Sequence, residues 1–351
     1  MFYQKAAVVL QVKFFIISRQ IEVTWEKVMA SINDVAKRAN VAKSTVSLVL
    51  NNNGYVSKET RLKVEKAISE LNYIPSQIGR NLSHNRTNLI GIIIPDAAHP
   101  FYGSFIKYAE EALYHKGYKT MICATIEKEN MEQEFLDMLK SHTMDGIIMG
   151  AHSLLQEQYK KLKQPIVAFD RNLGNGIPLV QADHNRGGYL AAEIFEECGC
   201  KNIVQVSGAR IVNTPAHEYH ISFEKALNDK GISVNCIEMP HNAFNEEDFI
   251  KTAEMLFDLY PGADGIFGAD LLILACIREA ARRNKKNQVK FVAYDGTYVT
   301  RLCEKTIDAI VQPVKEMSYV CAEIMDILVK GEKLQKWHNV FPVSVQREYN
   351  K

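Results

Sequence analysis

The pattern of apolar and polar positions changes character near residue 89. Before that point apolar residues recur at helical spacing. Ile32, Val35, Ala36 and Ala39 form one set, Val46, Val49 and Leu50 a second, and Val64, Ala67, Ile68 and Leu71 a third at i, i+3, i+4 and i+7. After it, short runs rich in Ile and Val alternate with helical stretches: LIGIIIP, YKTMICA, DGIIMGA and PIVAFDR. Past Leu179 the rhythm repeats through NIVQVSG, DGIFGA and KFVAYDG. Runs this uniformly apolar predict strands buried on both faces of parallel sheets. Two such series predict an α/β body of two doubly wound parallel-sheet subdomains behind a small helical head.

The polar residues between the apolar sets mark where the head's helices start and stop. Ser31-Ile-Asn-Asp34 has capping-box spacing, and Asp34 places negative charge in the first turn. Asn40 tolerates the left-handed conformation that ends a helix in a sharp turn. A second helix runs from Lys43 to about Leu50, with Val46, Val49 and Leu50 inward and Lys43, Ser44, Ser47 and Leu48 elsewhere. Asn51-Asn-Asn-Gly54 breaks it, and Ser57 caps a third helix. Three short helices could form a purely structural bundle. Small polar groups and one lysine on the second helix instead suit entry into a DNA major groove about 12 Å wide.

Charge sharpens that reading. The chain has 351 residues, 47% hydrophobic and 24% charged, with a net charge of +1. From Met29 to Asn88 nine Lys/Arg face four Asp/Glu, giving +5, and residues 1–28 carry +2, which leaves −6 for the remaining 263 residues. A basic head on an acidic body predicts that only the head meets phosphate. The seven cysteines are dispersed, as reduced thiols in a cytoplasmic protein would be, and only Cys198-Gly-Cys200 forms a close pair. Residues 1–28 are apolar and basic, but Lys13 interrupts the apolar run and no small-residue cleavage site follows. They read as a mis-started extension ahead of Met29. The chain therefore divides into residues 1–28, a DNA-binding head at 29–75, a connecting segment at 76–88 and an α/β body at 89–351.

The stretch INDVAKRANVAKSTVSLVLNNNGYVSKETRLKVEKAISELNYIP resembles the helix-turn-helix head of the lactose-repressor (LacI/GalR) family of bacterial transcription regulators. That resemblance implies that Lys43, Ser44 and Leu48 face base edges. It implies that Thr45, Ser47, Asn51, Tyr55, Ser57 and Thr60 touch the DNA backbone. Ser76-Gln-Ile-Gly-Arg-Asn-Leu82 is similar to the family's hinge helix, in which Ser76 would join the DNA contacts and Leu82 would wedge into the minor groove. Three residues depart from the pattern. Ala42 stands where many members have a capping serine, Leu48 where many have arginine, and Gly79 where alanine is usual.

The body resembles the same family's periplasmic-binding-protein-like sensor, which implies an effector-binding and dimerisation domain at 89–351 of two interleaved subdomains, joined to the head by a hinge and linker at 76–88. Its predicted strands end in polar residues, Asp96, Asp170-Arg171, Asp183, Ser207, Asp270 and Asp295, where such sheets bind ligands. The resemblance places His99, Phe101 and Tyr102 over a small sugar effector, with Asp170, Asp295 and Gln312 bonding its hydroxyls. Asp270 reads equally as a ligand contact or a helix cap. The family's Arg-x-x-Gly-Phe is here Tyr219-His-Ile-Ser-Phe223. Either the ligand lacks an anionic group there, or Arg171 or Arg210 substitutes. GAHSL, AFDRNL and YDG look most like the sucrose-operon repressor subgroup, which implies a fructose-containing sugar or its phosphate.

The resemblance further implies a homodimer on a double-stranded DNA operator, with no cofactor and no membrane partner, and effector-controlled repression of a sugar operon. The stretch from about Phe101 to Ala112 is either part of a dimer face or a sheet-covering helix. The alternatives are a regulator that answers a non-sugar corepressor and a sugar-binding transport receptor. A basic helix-turn-helix head argues against the receptor. An enzyme is disfavoured because the chain has no GxSxG elbow, no standard phosphate loop and no HExxH. His217 and His220, three apart, make a poor zinc pair.

Overall fold

The computed structural model describes residues 30–52, 54–74, 86–126, 131–151, 156–159, 161–174, 176–212, 214–303 and 305–347. The chain divides into two compact units, before and after residues 85 and 86. The extension at 1–28 and the hinge with Ser76, Gly79 and Leu82 fall outside the described residues.

The first unit holds α1 (Ile32–Ala39), α2 (Lys43–Leu50) and α3 (Lys58–Glu70). The Ser31 side chain accepts from the Asp34 N–H while the Asp34 carboxylate accepts from the Ser31 N–H, so the predicted capping box is formed. Asn40 adopts φ 53° and ends α1 in the left-handed region. Ser57 caps α3 by accepting from Thr60 N–H. Ala42 is the N-cap of α2 and offers no side-chain bond. The core is small: Val35, Ala36, Ala39, Val46, Val49, Val64 and Ala67, with Leu50 only partly buried at its edge. An ion pair from Arg38 to Glu70 (2.6 Å) ties α1 to α3.

The second unit carries two six-stranded sheets. Its strands are β1 (Leu89–Ile94), β2 (Lys119–Ala124), β3 (Gly146–Met149), β4 (Ile166–Phe169), β5 (Leu179–Ala182), β6 (Asn202–Ser207), β7 (Ser233–Glu238), β8 (Gly265–Ala269), β9 (Lys290–Asp295), β10 (Asp308–Val311), β11 (His338–Phe341) and β12 (Ser344–Gln346). The first sheet runs β11-β5-β4-β3-β1-β2 and the second β12-β10-β9-β8-β6-β7. Every pairing is parallel except β10 with β12.

Central strands β1, β3, β4 and β8 are buried along nearly their whole length, as their apolar runs predict. YKTMICA does not behave that way. As β2 it is an edge strand with one neighbour, and Lys119 and Ile122 lie exposed. Strand β5, which begins at Leu179, still belongs to the first sheet. The chain returns to that sheet at β11 before β12 closes the second, so the subdomains are interleaved.

The helices covering these sheets include α4 (Pro100–His115), α5 (Met131–Lys140), α6 (Gln156–Tyr159), α7 (His184–Glu197), α8 (His217–Asn228), α9 (Glu246–Leu259), α10 (Asp270–Arg282) and α11 (Val314–Lys330). The apolar stripe of α4 faces the first core, where Phe105 stacks on Phe169 with centroids 3.7 Å apart. That stripe is a sheet-covering surface. Helices α7 and α8 approach closely at Gly188, where a Cβ would lie 2.0 Å from Ser222 Oγ and 2.3 Å from the Tyr219 carbonyl oxygen. Gly187 similarly leaves room for the Tyr294 ring. Among the described residues no helix is long and apolar enough to cross a membrane.

Candidate functional sites

On the head, Lys43, Ser44 and Leu48 are exposed on one helix, α2. Thr45 and Ser47 are partly buried beside them, and Asn51 and Tyr55 are exposed just beyond the helix. Two pairs predicted to touch the DNA backbone are bonded to each other. Asn51 Nδ2 donates to Ser47 Oγ (3.3 Å), and Ser57 Oγ donates to Thr60 Oγ1 (2.9 Å). Gly54, at φ 76°, lets the chain turn against Leu48, since its Cβ position lies only 3.4 Å from Leu48 Cδ2.

In the second unit the carboxyl ends of the two sheets border one cleft, where open α/β sheets bind ligands. Eight of the nine predicted effector residues line it: His99, Phe101, Tyr102, Asp170, Arg171, Tyr219, Asp295 and Gln312. His99 to Tyr102 open α4 after β1, Asp170 and Arg171 follow β4, Asp295 ends β9 and Gln312 follows β10. The cavity has a volume of about 160 Å³. Its far wall is apolar, with Val206, Val212, Met239, Phe249 and Leu272.

Asp270 is the ninth residue, and it neither lines the cleft nor caps its own helix. Ala269 is the N-cap of α10. The Asp270 carboxylate instead accepts from the Gly296 N–H (3.1 Å) and from Thr297 N–H and Oγ1 (2.7 and 2.6 Å), and so fixes the loop that presents Asp295. Of the other polar strand ends, Asp96 holds a turn by accepting from Ala98 N–H. Asp183 caps α7.

Asp170 is held from below. Its Oδ1 lies 2.6 Å from His184 Nε2, and His184 Nδ1 lies 2.7 Å from the Tyr294 hydroxyl. Burial pushes the Asp170 carboxyl up, but the His184 charge and hydrogen bond, together with Arg171, outweigh it and hold the group below the ordinary carboxylate value. Asp170 also sits at φ 52°, in the left-handed region. Asp295 lies on the other side of the balance. Burial, the neighbouring Asp270 charge and Asp170 push it well above its ordinary value, and only the bond from Gln312 Nε2 (2.8 Å) opposes them. Burial pushes Asp270 up to about 6 despite its three donors.

Arg171 spans the cleft mouth. It donates through Nε to the Ala151 carbonyl (2.9 Å), through Nη1 to the Asp170 carbonyl (2.6 Å) and Thr214 Oγ1 (2.7 Å), and through Nη2 to the Tyr102 hydroxyl (2.6 Å). Arg210 lies elsewhere: it is exposed, pairs with Glu238 and does not line the cleft. Tyr219, at the position of the absent arginine, stacks on Tyr294 with centroids 3.7 Å apart and planes at 12°.

Sequence reasoning missed His184, Tyr294, Thr214 and Phe244. Phe244 meets His99 edge-on at 5.7 Å. The His184–Tyr294 contact joins residues 110 apart in sequence, which no local pattern reveals. Among the described residues two buried polar atoms, His99 Nδ1 and Gln312 Oε1, have no hydrogen-bond partner, and both residues line the cleft. His217 and His220 also line it, and His220 Nδ1 meets Gln205 Oε1 (3.1 Å). Among the described residues no set of three or more His, Cys, Asp or Glu side chains is placed to hold a metal. Cys198-Gly-Cys200 forms the end of α7, with Cys198 exposed, Gly199 at φ 73° and Cys200 buried.

A helix-turn-helix head on a two-subdomain sensor defines a DNA-binding regulatory protein. Residues 31–76 match the family described as bacterial regulatory proteins, lacI family. Residues 87–294 match periplasmic binding proteins and sugar binding domain of LacI family. The chain belongs to the lacI family; it is a regulator and not an enzyme.

It is 33% identical over 305 residues to the sucrose operon repressor of Streptococcus mutans, covering 86% of this chain and 92% of that protein. It is 31% identical over 327 residues to the ribose operon repressor of Halalkalibacterium halodurans, covering 92% and 98%. Its fold is shared with the lac repressor dimer bound to operator and the anti-inducer ONPF (TM-score 0.77, 19% identity, 91% of this chain and 98% of that one).

Proposed function

We propose that the chain represses a sugar-utilisation operon and that a small sugar bound in the cleft sets its operator affinity. As a homodimer in the cytoplasm it presents two heads to a pseudo-palindromic double-stranded operator. Lys43, Ser44 and Leu48 meet base edges, while Thr45, Ser47, Asn51, Tyr55, Ser57 and Thr60 meet the backbone, with Ser76 and the Leu82 wedge completing the contact. With leucine at position 48, no guanidinium reads guanine from that place.

The observation that carries the sensing role is the pair of unpartnered buried atoms, His99 Nδ1 and Gln312 Oε1, beside the Asp170 carboxylate. A buried polar atom without a partner is costly. Sugar hydroxyls, which both donate and accept, satisfy this set, and the aromatic side chains of Phe101, Tyr102 and Tyr219 cover C–H faces. Similarity to sucrose and ribose operon repressors supports the sugar class. A sucrose- or fructose-type ligand is the leading candidate.

Ligand and operator are coupled through the two states of the cleft, and each state's affinity for the sugar sets the response. The test is operator binding by fluorescence anisotropy or footprinting, with and without sucrose, fructose, glucose and ribose. A change of about 5- to 150-fold with one of them is expected. A response to a purine or amino acid and to no sugar would overturn the sugar reading.

A further inference from the structure

We propose that the effector is an uncharged, unphosphorylated sugar, an inference that rests on the sugar-sensing reading above and narrows its chemical class. The cleft lacks what a phosphate needs. No lysine lines it among the described residues, and Arg171 is its one lining arginine. A guanidinium has five N–H donors. Four of those on Arg171 are committed to Ala151, Asp170, Thr214 and Tyr102, which leaves one for a ligand. Bidentate recruitment of Arg171 to a phosphate would need a second N–H and so would break at least one of these bonds.

The other basic side chains that line the cleft, His99, His217 and His220, are all shifted toward the neutral form. Burial pushes His99 down to about 4 and His220 down to about 3, and it lowers His217 as well. Helix N-termini, the other source of positive field, are weakened here by one missing donor or by an acidic residue in the first turn. Helix α4 begins with Pro100, which has no N–H, while α8 and α10 carry Glu218 and Asp270 in their first turns. Asp170 meanwhile stays a carboxylate facing the cleft. Among the described residues an anionic group would enter beside a fixed negative charge with only the one remaining Arg171 N–H to meet it, an arrangement that burial makes expensive. A hydroxyl in the same place donates to Asp170.

The experiment is titration calorimetry of the full chain near neutral pH and at fixed ionic strength. Each sugar is tested against its own phosphate ester: fructose and fructose 6-phosphate, glucose and glucose 6-phosphate, ribose and ribose 5-phosphate, sucrose and sucrose 6-phosphate. In the pair that binds, the ester is expected to be at least tenfold weaker than the parent. Saturating inorganic phosphate is expected to leave the parent sugar's affinity unchanged. An ester that binds as tightly as its parent, or competition by inorganic phosphate, overturns this inference and leaves the sugar reading intact. Absence of binding across every pair overturns both.

Discussion

The head and the sensor solve the same problem, holding polar groups in place, by opposite means. In the head the contacts that hold its caps and its predicted DNA-facing side chains are local: Ser31 with Asp34, Asn51 with Ser47, and Ser57 with Thr60, each three or four residues apart, while the Arg38–Glu70 pair is the longer tie between helices. In the sensor the decisive contacts are distant, with Asp170 held through His184 by Tyr294, and Arg171 reaching Tyr102 and Thr214. The head has seven buried apolar residues, whereas the sensor has four larger clusters. A small core with local caps makes a unit whose stability moves with single residues. A large core can carry a strained, charged site without unfolding.

The change with the largest expected effect is Asp170→Ala, which tests whether the sensor's site belongs to the sensor alone. It strips the partner from the buried His184, and loss of one member of such a pair costs about 3–5 kcal/mol. Thermal unfolding should show the sensor transition falling and sugar binding lost, with the head transition unmoved. A matching fall in the head transition would break the comparison. The next effect is pH. Asp270 and Asp295 are raised in the folded state, so between their unfolded and folded values the native chain binds more protons and stability falls as pH rises. The loss should begin near pH 4 and pass through about 6 for Asp270, with Asp295 adding to it in the same direction. Each tenfold change in proton affinity contributes about 1.4 kcal/mol. Asp170 is lowered and acts with the opposite sign, its stabilisation being lost only as pH falls below about 4. Asp295→Asn should flatten the slope above pH 4 in urea titrations of the sensor; an unchanged slope would show that the pair is not its source.

The same contrast explains what the sequence could tell. Head helices, caps and the left-handed Asn40 were legible because each is encoded within a few residues. The central strands were legible because burial on both faces forces an apolar run. Edge strand β2 was misread because its composition matches that of a buried strand, and only its place in the sheet exposes Ile122. The strands β5, β7, β10, β11 and β12 were not legible, since short segments such as Ser344–Gln346 and the mixed, half-buried Ser233–Glu238 carry too little pattern. At the cleft, residue identities were legible by resemblance, but the support beneath them was not. Asp270 looked like its ligand-facing counterparts at strand ends, yet its carboxylate is turned to Gly296 and Thr297. Nothing near residue 184 indicates that its ring joins Asp170 to Tyr294.

Two smaller predictions probe the head. Val64 is fully buried in its core, and Val64→Ala should cost about 2 kcal/mol. The head transition and operator affinity should fall while sugar affinity measured by calorimetry stays constant. A change in sugar affinity would mean that the units are not energetically separate.

The smallest effect is also the most local. Ala42 occupies the N-cap of α2 with extended backbone (φ −68°, ψ 151°) and gives the helix no side-chain acceptor. Serine fits that conformation, as Ser57 shows at φ −60°, ψ 148° on the next helix. Ala42→Ser should therefore add about 1 kcal/mol to the head by satisfying one free N–H in the first turn of α2. Because Lys43 and Ser44 open that same turn, the gain should appear in the head's melting transition without changing the sensor's. Absence of any gain would show that the N–H groups at this end of α2 are already satisfied by solvent, and that local capping no longer limits the head.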